Sequence, residues 1–95
     1  MRFTTNEVDT FSLFEDKALV GTITFSVDLI HNVIIIEHVE IDAQFQHKGF
    51  GELLMHTFLA QLHRKEIHVS PACPYAKTYL EHHPVNFVDW NYQKK

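Results

Sequence analysis

This 95-residue sequence contains little cysteine, glycine or proline, with one, three and three residues of each kind. A single cysteine cannot form an internal disulfide, which favours a reducing compartment, and we expect the protein to be cytoplasmic. No Gly-, Pro- or Ser-rich linker interrupts the chain, so we expect one domain over residues 1–95. The longest apolar run has four residues, whereas a membrane-spanning helix needs about 20. We therefore expect no membrane partner.

Basic residues are also few. Eight Lys and Arg stand against twelve Asp and Glu, and the net charge is −4 with neutral histidines. Electrostatic binding of nucleic acid requires a basic face, so the composition predicts no nucleic-acid partner. An apolar content of 45% with only 21% charged residues excludes a disordered chain and provides for a hydrophobic core.

The first half of the chain has the patterns of β-strands. Residues 10–14 alternate between apolar and polar side chains. In residues 19–27 every second residue is expected on one buried face, and this set comprises Leu19, Gly21, Ile23, Phe25 and Val27. Residues 33–41 begin β-branched and apolar on both faces, which is typical of a central strand covered on both sides.

The second half changes to a helical period. Between residues 49 and 65 an apolar residue recurs every four positions, at Phe50, Leu54, Phe58 and Leu62. Residues 67–70 form a short strand, and a second helix begins at Pro74 and ends before Pro84. The predicted order is β-β-β-β-α-β-α, an α+β fold with a mainly antiparallel sheet of about five strands and two main helices.

A loop containing two glycines connects the central strand to the first helix. Its residues are Gln46, His47, Lys48, Gly49, Phe50 and Gly51. Glycine lets backbone N–H groups approach a ligand closely, and a helix N-terminus attracts anions, so a pyrophosphate would fit here. A plain strand-to-helix turn explains the same residues. The third glycine of a dinucleotide-binding fingerprint and the Gly-Lys-Ser/Thr of a P-loop are both missing.

The only cysteine, Cys73, immediately precedes Pro74 at the expected N-cap of the second helix. Unpaired N–H groups and the helix dipole would favour its thiolate form at that position. The alternative is a buried, inert cysteine.

A histidine and a carboxylate stand two residues apart on the central strand. His38 and Glu40 should therefore point to the same face, and Glu37 to the opposite one. A shared hydrogen bond at the exposed end of the strand would also explain this pair. No two histidines have the i, i+4 spacing of a helical metal site, so we expect no metal.

Taken in order, these segments resemble the GNAT superfamily of N-acetyltransferases. The loop of residues 46–51 is similar to its Gln/Arg-x-x-Gly-x-Gly/Ala acetyl-CoA loop. The strand with His38 and Glu40, the Cys73-Pro74-Tyr75 turn and a late His-Pro resemble a subfamily of about one hundred residues. The resemblance implies a minimal GNAT-like fold with a splayed sheet, in which acetyl-CoA lies in the gap and an amine, on a small molecule or a protein, accepts the acetyl group.

The resemblance also implies the site residues. The cofactor-binding set is Ile41, Gln46, His47, Lys48, Gly49, Phe50, Gly51 and Tyr79. His38 would be the base, Glu40 would orient it, and Cys73 would protonate the departing CoA thiolate or accept the acetyl group itself. Three positions depart from the pattern: Val39 replaces a threonine, Gln46 replaces the commoner arginine, and Tyr79 is about one residue from the expected tyrosine. The alternative function is a CoA- or acyl-CoA-binding module with little or no turnover.

Overall fold

The computed structural model describes the backbone of residues 2–6 and the whole of residues 10–92. Its elements, in chain order, are β1 (Arg2–Asn6), β2 (Thr10–Glu15), β3 (Ala18–Asp28), β4 (Val33–Ile41), α1 (Phe50–Arg64), β5 (His68–Pro71) and α2 (Pro74–His82). A single 3-10 turn, Ala43–Phe45, follows β4. The predicted α+β class and the order β-β-β-β-α-β-α are confirmed.

The five strands form one sheet in the order β1-β2-β3-β4-β5. The first four are antiparallel neighbours, and β5 lies parallel to β4 after the crossover through α1. Pairing between β4 and β5 ends at Ile36 and Pro71, with a last bond from the Ala72 amide to the Ile36 carbonyl at 2.9 Å. Because β4 continues to Ile41 without this neighbour, the sheet is splayed there, as predicted.

A β-bulge in β3 changes which of its side chains are buried. Leu13 pairs with Gly21 and Phe14 with Leu19, so Val20 is an extra residue between two pairs. Val20 is fully buried, whereas Leu19 is 45% exposed. The prediction of Leu19 as a buried residue is therefore wrong, because the extra residue shifts the strict two-residue alternation by one position. Val27, also predicted as buried, is exposed near the open end of the strand.

A second bulge lies in β4. Thr24 pairs with His38 and Phe25 with Ile36, which leaves Glu37 as the extra residue. The Ser26 hydroxyl donates a hydrogen bond of 2.6 Å to the Glu37 carboxylate. Because Ser26 belongs to the face that carries the His38 and Glu40 side chains, the expectation that Glu37 points to the opposite face is wrong. Two successive side chains point to roughly the same side at a bulge of this kind.

Helix α1 forms the main core with one face of the sheet. Its buried residues are Leu54, Met55, Phe58, Leu59 and Leu62. The ring of Phe58 lies 5.2 Å from the rings of both Phe11 and Phe25, which joins the helix to β2 and β3. The four-residue apolar period predicted this buried stripe. Among the described residues, no helix combines the length and the hydropathy that a membrane crossing would require.

The C-terminal segment pairs with β5 and then reaches the end of β3. Val88 forms a parallel bridge with Val69 of β5, and the Tyr92 hydroxyl donates a 2.6 Å hydrogen bond to Asp28 at the end of β3. Asp28 also accepts hydrogen bonds from the His31 ring and backbone amide. These donors, with the Tyr92 hydroxyl the most important, lower the pKa of Asp28 to about 2. The same hydrogen bond raises the pKa of Tyr92 to about 12.

Replacing Tyr92 by Phe should reduce the loss of unfolding free energy that occurs when the pH is lowered from about 4 to 2. Because the pKa of Asp28 is lowered by folding from 3.8 to about 2, its contribution is complete above about pH 4 and is lost as the pH falls toward 2. Without the Tyr92 hydroxyl the folded pKa rises, so less stability is lost over this range. Urea unfolding at a series of pH values measures the slope. An Asp28 pKa that is unchanged in Tyr92→Phe, measured by carboxyl NMR, would contradict this account.

Candidate functional site

The point where β4 and β5 separate brings together two of the predicted catalytic segments. On the β5 side, Cys73 follows the Ala72 amide that makes the last bond to Ile36. On the β4 side, the bulged Glu37 and then His38 follow Ile36. We call this place the apex of the splay. Cys73 and His38 are 35 residues apart in sequence, and the pairing of β4 with β5 brings their segments to the apex.

A cavity of about 400 Å³, here called the loop cleft, opens between the end of β4 and the start of α1. Six of the eight predicted cofactor-binding residues line it: Ile41, Gln46, His47, Gly49, Phe50 and Gly51. Its other lining residues are Val39, Phe45, Glu52 and Tyr75. Lys48, also predicted as a binding residue, is exposed and does not line the cleft.

Two left-handed backbone conformations shape the loop. His47 has φ 64° and Gly49, the N-cap of α1, has φ 83°. A loop that alternates in this way turns its amide groups into a concave anion-binding surface, next to the positive end of the helix dipole. The Gln46 side chain donates a 3.0 Å hydrogen bond to the Ile41 carbonyl, so it fastens the loop to the end of β4. No Lys or Arg is among the described residues that line the cleft, so an anion there would depend mainly on backbone N–H groups.

Tyr75 is a residue of the cleft that sequence reasoning missed as a binding residue. It belongs to the first turn of α2, yet a β-carbon at Gly51 would collide with its hydroxyl. Burial, followed by the charges of Glu52 and Cys73, raises the pKa of Tyr75, so its hydroxyl remains protonated and can donate at neutral pH. The signal was present in the sequence, because Tyr75 is the aromatic residue of the Cys-Pro-aromatic turn.

Tyr79 occupies a neighbouring groove rather than the loop cleft. That groove has a volume of about 240 Å³ and shares Glu52 and Tyr75 with the cleft. The Tyr79 ring stacks on His83, with ring centres 4.2 Å apart and planes inclined by 17°. Burial and the nearby Glu52 raise the pKa of Tyr79 as well. One helical turn separates Tyr75 from Tyr79, which explains why only the first reaches Gly51.

Cys73 is the N-cap of α2, as predicted. Its sulfur accepts a 3.4 Å hydrogen bond from the Ala76 amide, and Pro74 follows at the first helical position. The thiol side chain is buried at 7% exposure. Within residues 10–92, no hydrogen bond or ion pair joins Cys73 to His38 or Glu40. The cap therefore orients the sulfur at the apex, without a direct bond to the predicted base.

His38 and Glu40 lie side by side on the sheet face opposite the loop cleft. The His38 Nε2 atom is 3.4 Å from a Glu40 carboxylate oxygen, and their side chains are 61% and 74% exposed. They line a shallow cavity of about 170 Å³ with Thr22, Thr24 and Asp42. The predicted shared face is thus present, and its residues are open to solvent. No three His, Cys, Asp or Glu side chains of the described residues are grouped closely enough to hold a metal ion.

The backbone of β4 also faces the gap. The Asp42 amide donates to the Val20 carbonyl of β3 at 2.8 Å. In an antiparallel pair, every second residue directs both its N–H and its C=O group to the same neighbouring strand. His38 and Glu40 therefore form backbone hydrogen bonds with β3, as Asp42 does. Val39 and Ile41 therefore direct their N–H groups to the other side, where β5 has already diverged. These donors are available to a ligand that enters the gap.

The comparison with known families agrees with this geometry. The family model described as GCN5-related N-acetyltransferase matches residues 10–90 of the chain. The chain belongs to the GCN5-related N-acetyltransferase family. The match covers β2 to the C-terminal segment, so it includes the loop, the apex and both helices of this GCN5-related domain. No curated protein matches the sequence.

The contact between Tyr75 and Gly51 can be measured with a double-mutant cycle. In a Tyr75→Ala background, Gly51→Ala should stabilise the protein by about 0.5 kcal/mol, because alanine favours helix more than glycine does. In the wild-type background this gain should vanish or reverse, since the Tyr75 hydroxyl occupies the space of the new methyl group. Urea unfolding of the four proteins gives the coupling free energy. Additive effects of the two substitutions would show that the two residues are not in contact.

Proposed function

We propose that this protein is an acetyl-CoA-dependent N-acetyltransferase that transfers an acetyl group to the amine of a small molecule or a protein. The observation that carries the proposal is the continuity between the loop cleft and the unpaired edge of β4. The loop before α1, the N–H groups of Val39 and Ile41 and the capped Cys73 lie along one gap in the sheet. This arrangement suits a ligand with a diphosphate at one end and a thioester at the other.

The loop cleft would hold the diphosphate and the pantetheine arm. The amide groups of residues 47–51 and the helix dipole of α1 favour an anion without a basic side chain. The amides in the pantetheine arm can pair with the N–H groups of Val39 and Ile41, in the way an added strand would. Tyr75 closes this side of the cleft and offers a hydroxyl donor.

His38 would act as the base for the acceptor amine. Its exposed ring leaves the amine access from solvent, and the Glu40 carboxylate at 3.4 Å can orient the ring. The amine nitrogen attacks the thioester carbonyl, its proton passes to His38, and the carbon–sulfur bond breaks to release CoA. A free N–H group of β4 would stabilise the negative charge on the carbonyl oxygen. The products are an amide and CoA with its thiol.

Cys73 would assist this transfer from the apex. It can donate its proton to the departing CoA sulfur, and the Ala76 amide would then stabilise the resulting thiolate. Alternatively, its sulfur takes the acetyl group from CoA and passes it to the amine, which also conserves atoms and charge. In both roles the Ala76 amide holds the Cys73 sulfur by a hydrogen bond, and this buried sulfur must contact the thioester.

A CoA-binding module with little or no turnover is the second candidate. It is favoured by the separation of His38 from Cys73, which no hydrogen bond or ion pair joins within residues 10–92. His38 and Glu40 are also highly exposed, and a base in such a position has no enclosed acceptor pocket around it. Both candidates would bind CoA in the loop cleft, and they differ only in whether the acetyl group is then transferred to an amine.

Replacing Gly49 by Glu should abolish tight binding of acetyl-CoA. The new carboxylate would stand within the anion-binding loop and repel the diphosphate, so we expect at least about a tenfold loss of affinity by calorimetry. Gly49→Ala is the matched control, because it imposes the same strain at φ 83° without a charge, and a β-carbon there meets no atom within 4 Å. Equal loss in both variants, or no binding by the wild type at millimolar acetyl-CoA, would contradict the proposed site.

Turnover distinguishes the enzyme from the binding module. With a panel of amines and a thiol assay for released CoA, His38→Gln should lower kcat about 100-fold or more and leave acetyl-CoA affinity unchanged. His68→Gln, which replaces an exposed histidine on β5, is the control.

The role of Cys73 is tested separately. Acetylated Cys73 in the wild type, detected by mass spectrometry before any amine is added, would indicate that the acetyl group passes through this sulfur. Cys73→Ala with normal turnover would contradict both roles of the sulfur, and absence of transfer to every amine would favour the binding module.

A further inference from the structure

The described part of the chain ends at Tyr92, on the same face of the sheet as the proposed base. The Tyr92 hydroxyl bonds to Asp28, and alternate residues of a strand share a face, so Asp28 lies on the face of Ser26 and Thr24. Thr24 pairs with His38. We call this surface the His38 face, and its residues include Thr24, Ser26, Asp28, His38 and Glu40. The side chain of Tyr92 therefore fastens the end of the C-terminal segment to the face on which an acceptor amine would arrive.

Glu37 gives a second link between Tyr92 and this face. The hydrogen bond to Asp28 raises the pKa of Tyr92 most, followed by burial and by the charges of Asp28, Asp89 and Glu37. Exposed charges act over about 10 Å or less at ordinary ionic strength. Glu37 immediately precedes the proposed base and bonds to Ser26 of the His38 face. The Tyr92 hydroxyl thus lies close to the stretch of β4 that carries the base.

Two adjacent lysines follow Tyr92 in the sequence. Lys94 and Lys95 lie outside the described residues, and one residue separates Tyr92 from this pair. The strands β2, β3 and β4 contain no Lys or Arg, whereas Glu37 and Glu40 place carboxylates on the His38 face. Unlike charges attract, so the two ammonium groups are complementary to the surface beside the point where the described chain ends.

The chain between Tyr92 and the lysines is long enough to reach the base. From Asp28 back to Thr24, which pairs with His38, a strand spans about 13 Å. Two extended residues after Tyr92 cover about 7 Å and a lysine side chain about 6 Å more, so the Lys94 Nζ atom can cover the same distance. The next lysine has one further residue of reach.

We propose that Lys94 and Lys95 dock on the His38 face of their own chain, where one of their amines accepts the acetyl group in cis. This inference rests on the proposed function, because it requires acetyl-CoA in the loop cleft and His38 as the base, and it adds a modification site. Lys17 is a poorer acceptor. It lies in the turn between β2 and β3, about 20 Å from Thr24 along the strand, which is more than its side chain can span.

The step is balanced in atoms and charge. The lysine ammonium first loses one proton to solvent, and its neutral Nζ atom attacks the thioester carbonyl carbon. A second proton passes from the nitrogen to His38, the carbon–sulfur bond breaks, and the CoA sulfur takes up a proton. The products are acetyl-lysine, CoA with its thiol and one released proton. Because acetylation removes a positive charge, the modified lysine is no longer attracted to the His38 face.

The first measurement uses the wild type with acetyl-CoA and no other amine. Peptide mass spectrometry should find acetylation at Lys94 or Lys95 at least about tenfold faster than at Lys65. Lys65 is an exposed lysine at the end of α1 and serves as the internal control for chemical acetylation. The rate constant should stay the same when the protein concentration is varied about tenfold, because the chain fixes the effective concentration of a tethered amine.

Three variants test the tether, the acceptor and the base. Tyr92→Phe removes the bond to Asp28, so acetylation of Lys94 or Lys95 should slow about fivefold while transfer to an external amine stays within about twofold. The double variant Lys94→Arg/Lys95→Arg keeps both charges, and it should lose this acetylation and retain transfer to the external amine. His38→Gln should slow both reactions.

The outcomes separate this inference from the proposed function. Transfer to an external amine, with Lys94 and Lys95 acetylated no faster than Lys65, would overturn the inference and leave the proposed function intact. A rate constant that rises in proportion to protein concentration would also overturn it, because the acceptor lysine would then belong to another molecule. Unchanged acetylation in Tyr92→Phe would overturn the role of the tether. No transfer to the external amine or to either lysine would overturn the proposed function and this inference together.

Discussion

The parting of β4 from β5 after Ile36 is the constraint on which the site depends. A parallel strand forms backbone hydrogen bonds with its neighbour only where the two strands run side by side. The pairing of β4 with β5 extends over four residue pairs. The extra residue at Glu37 coincides with the end of this pairing, and a bulge bends and twists the strand that contains it. Beyond it, β4 presents free N–H groups to a gap instead of to a strand. The proposed function assigns these backbone groups to a ligand, because polar backbone groups in the interior require hydrogen-bond partners.

The same divergence separates two kinds of side chain. Val39 and Ile41 point to the side of the two helices, where the loop cleft lies, whereas His38 and Glu40 point to the opposite, solvent-exposed face. A group that passes through the gap would therefore enter from an apolar, backbone-lined cleft and emerge beside an imidazole–carboxylate pair. Cys73 stands at the apex between these two environments, held by its helix cap. The sheet in this GCN5-related domain thus separates the loop cleft from the exposed pair of His38 and Glu40.

Local patterns predicted most of the elements because they depend on residues close in sequence. The four-residue apolar period of α1, the proline after Cys73 and the glycines of the loop each have a local physical cause, and each lies where it was expected. The errors at Leu19 and Glu37 have a common origin. A bulge depends on how a strand pairs with its neighbour, so strict alternation within one strand cannot reveal it.

The sequence alone determined the fold class, the order of the elements, the loop at the start of α1 and the cap at Cys73, because backbone propensity and periodicity act over a few residues. The tertiary structure decided that Tyr75 rather than Tyr79 meets Gly51, and that Gln46 binds the end of β4. It also decided that residues of both α1 and α2 line one groove. These contacts join segments that the crossover connection and the sheet register bring together, and no local pattern encodes their relative position.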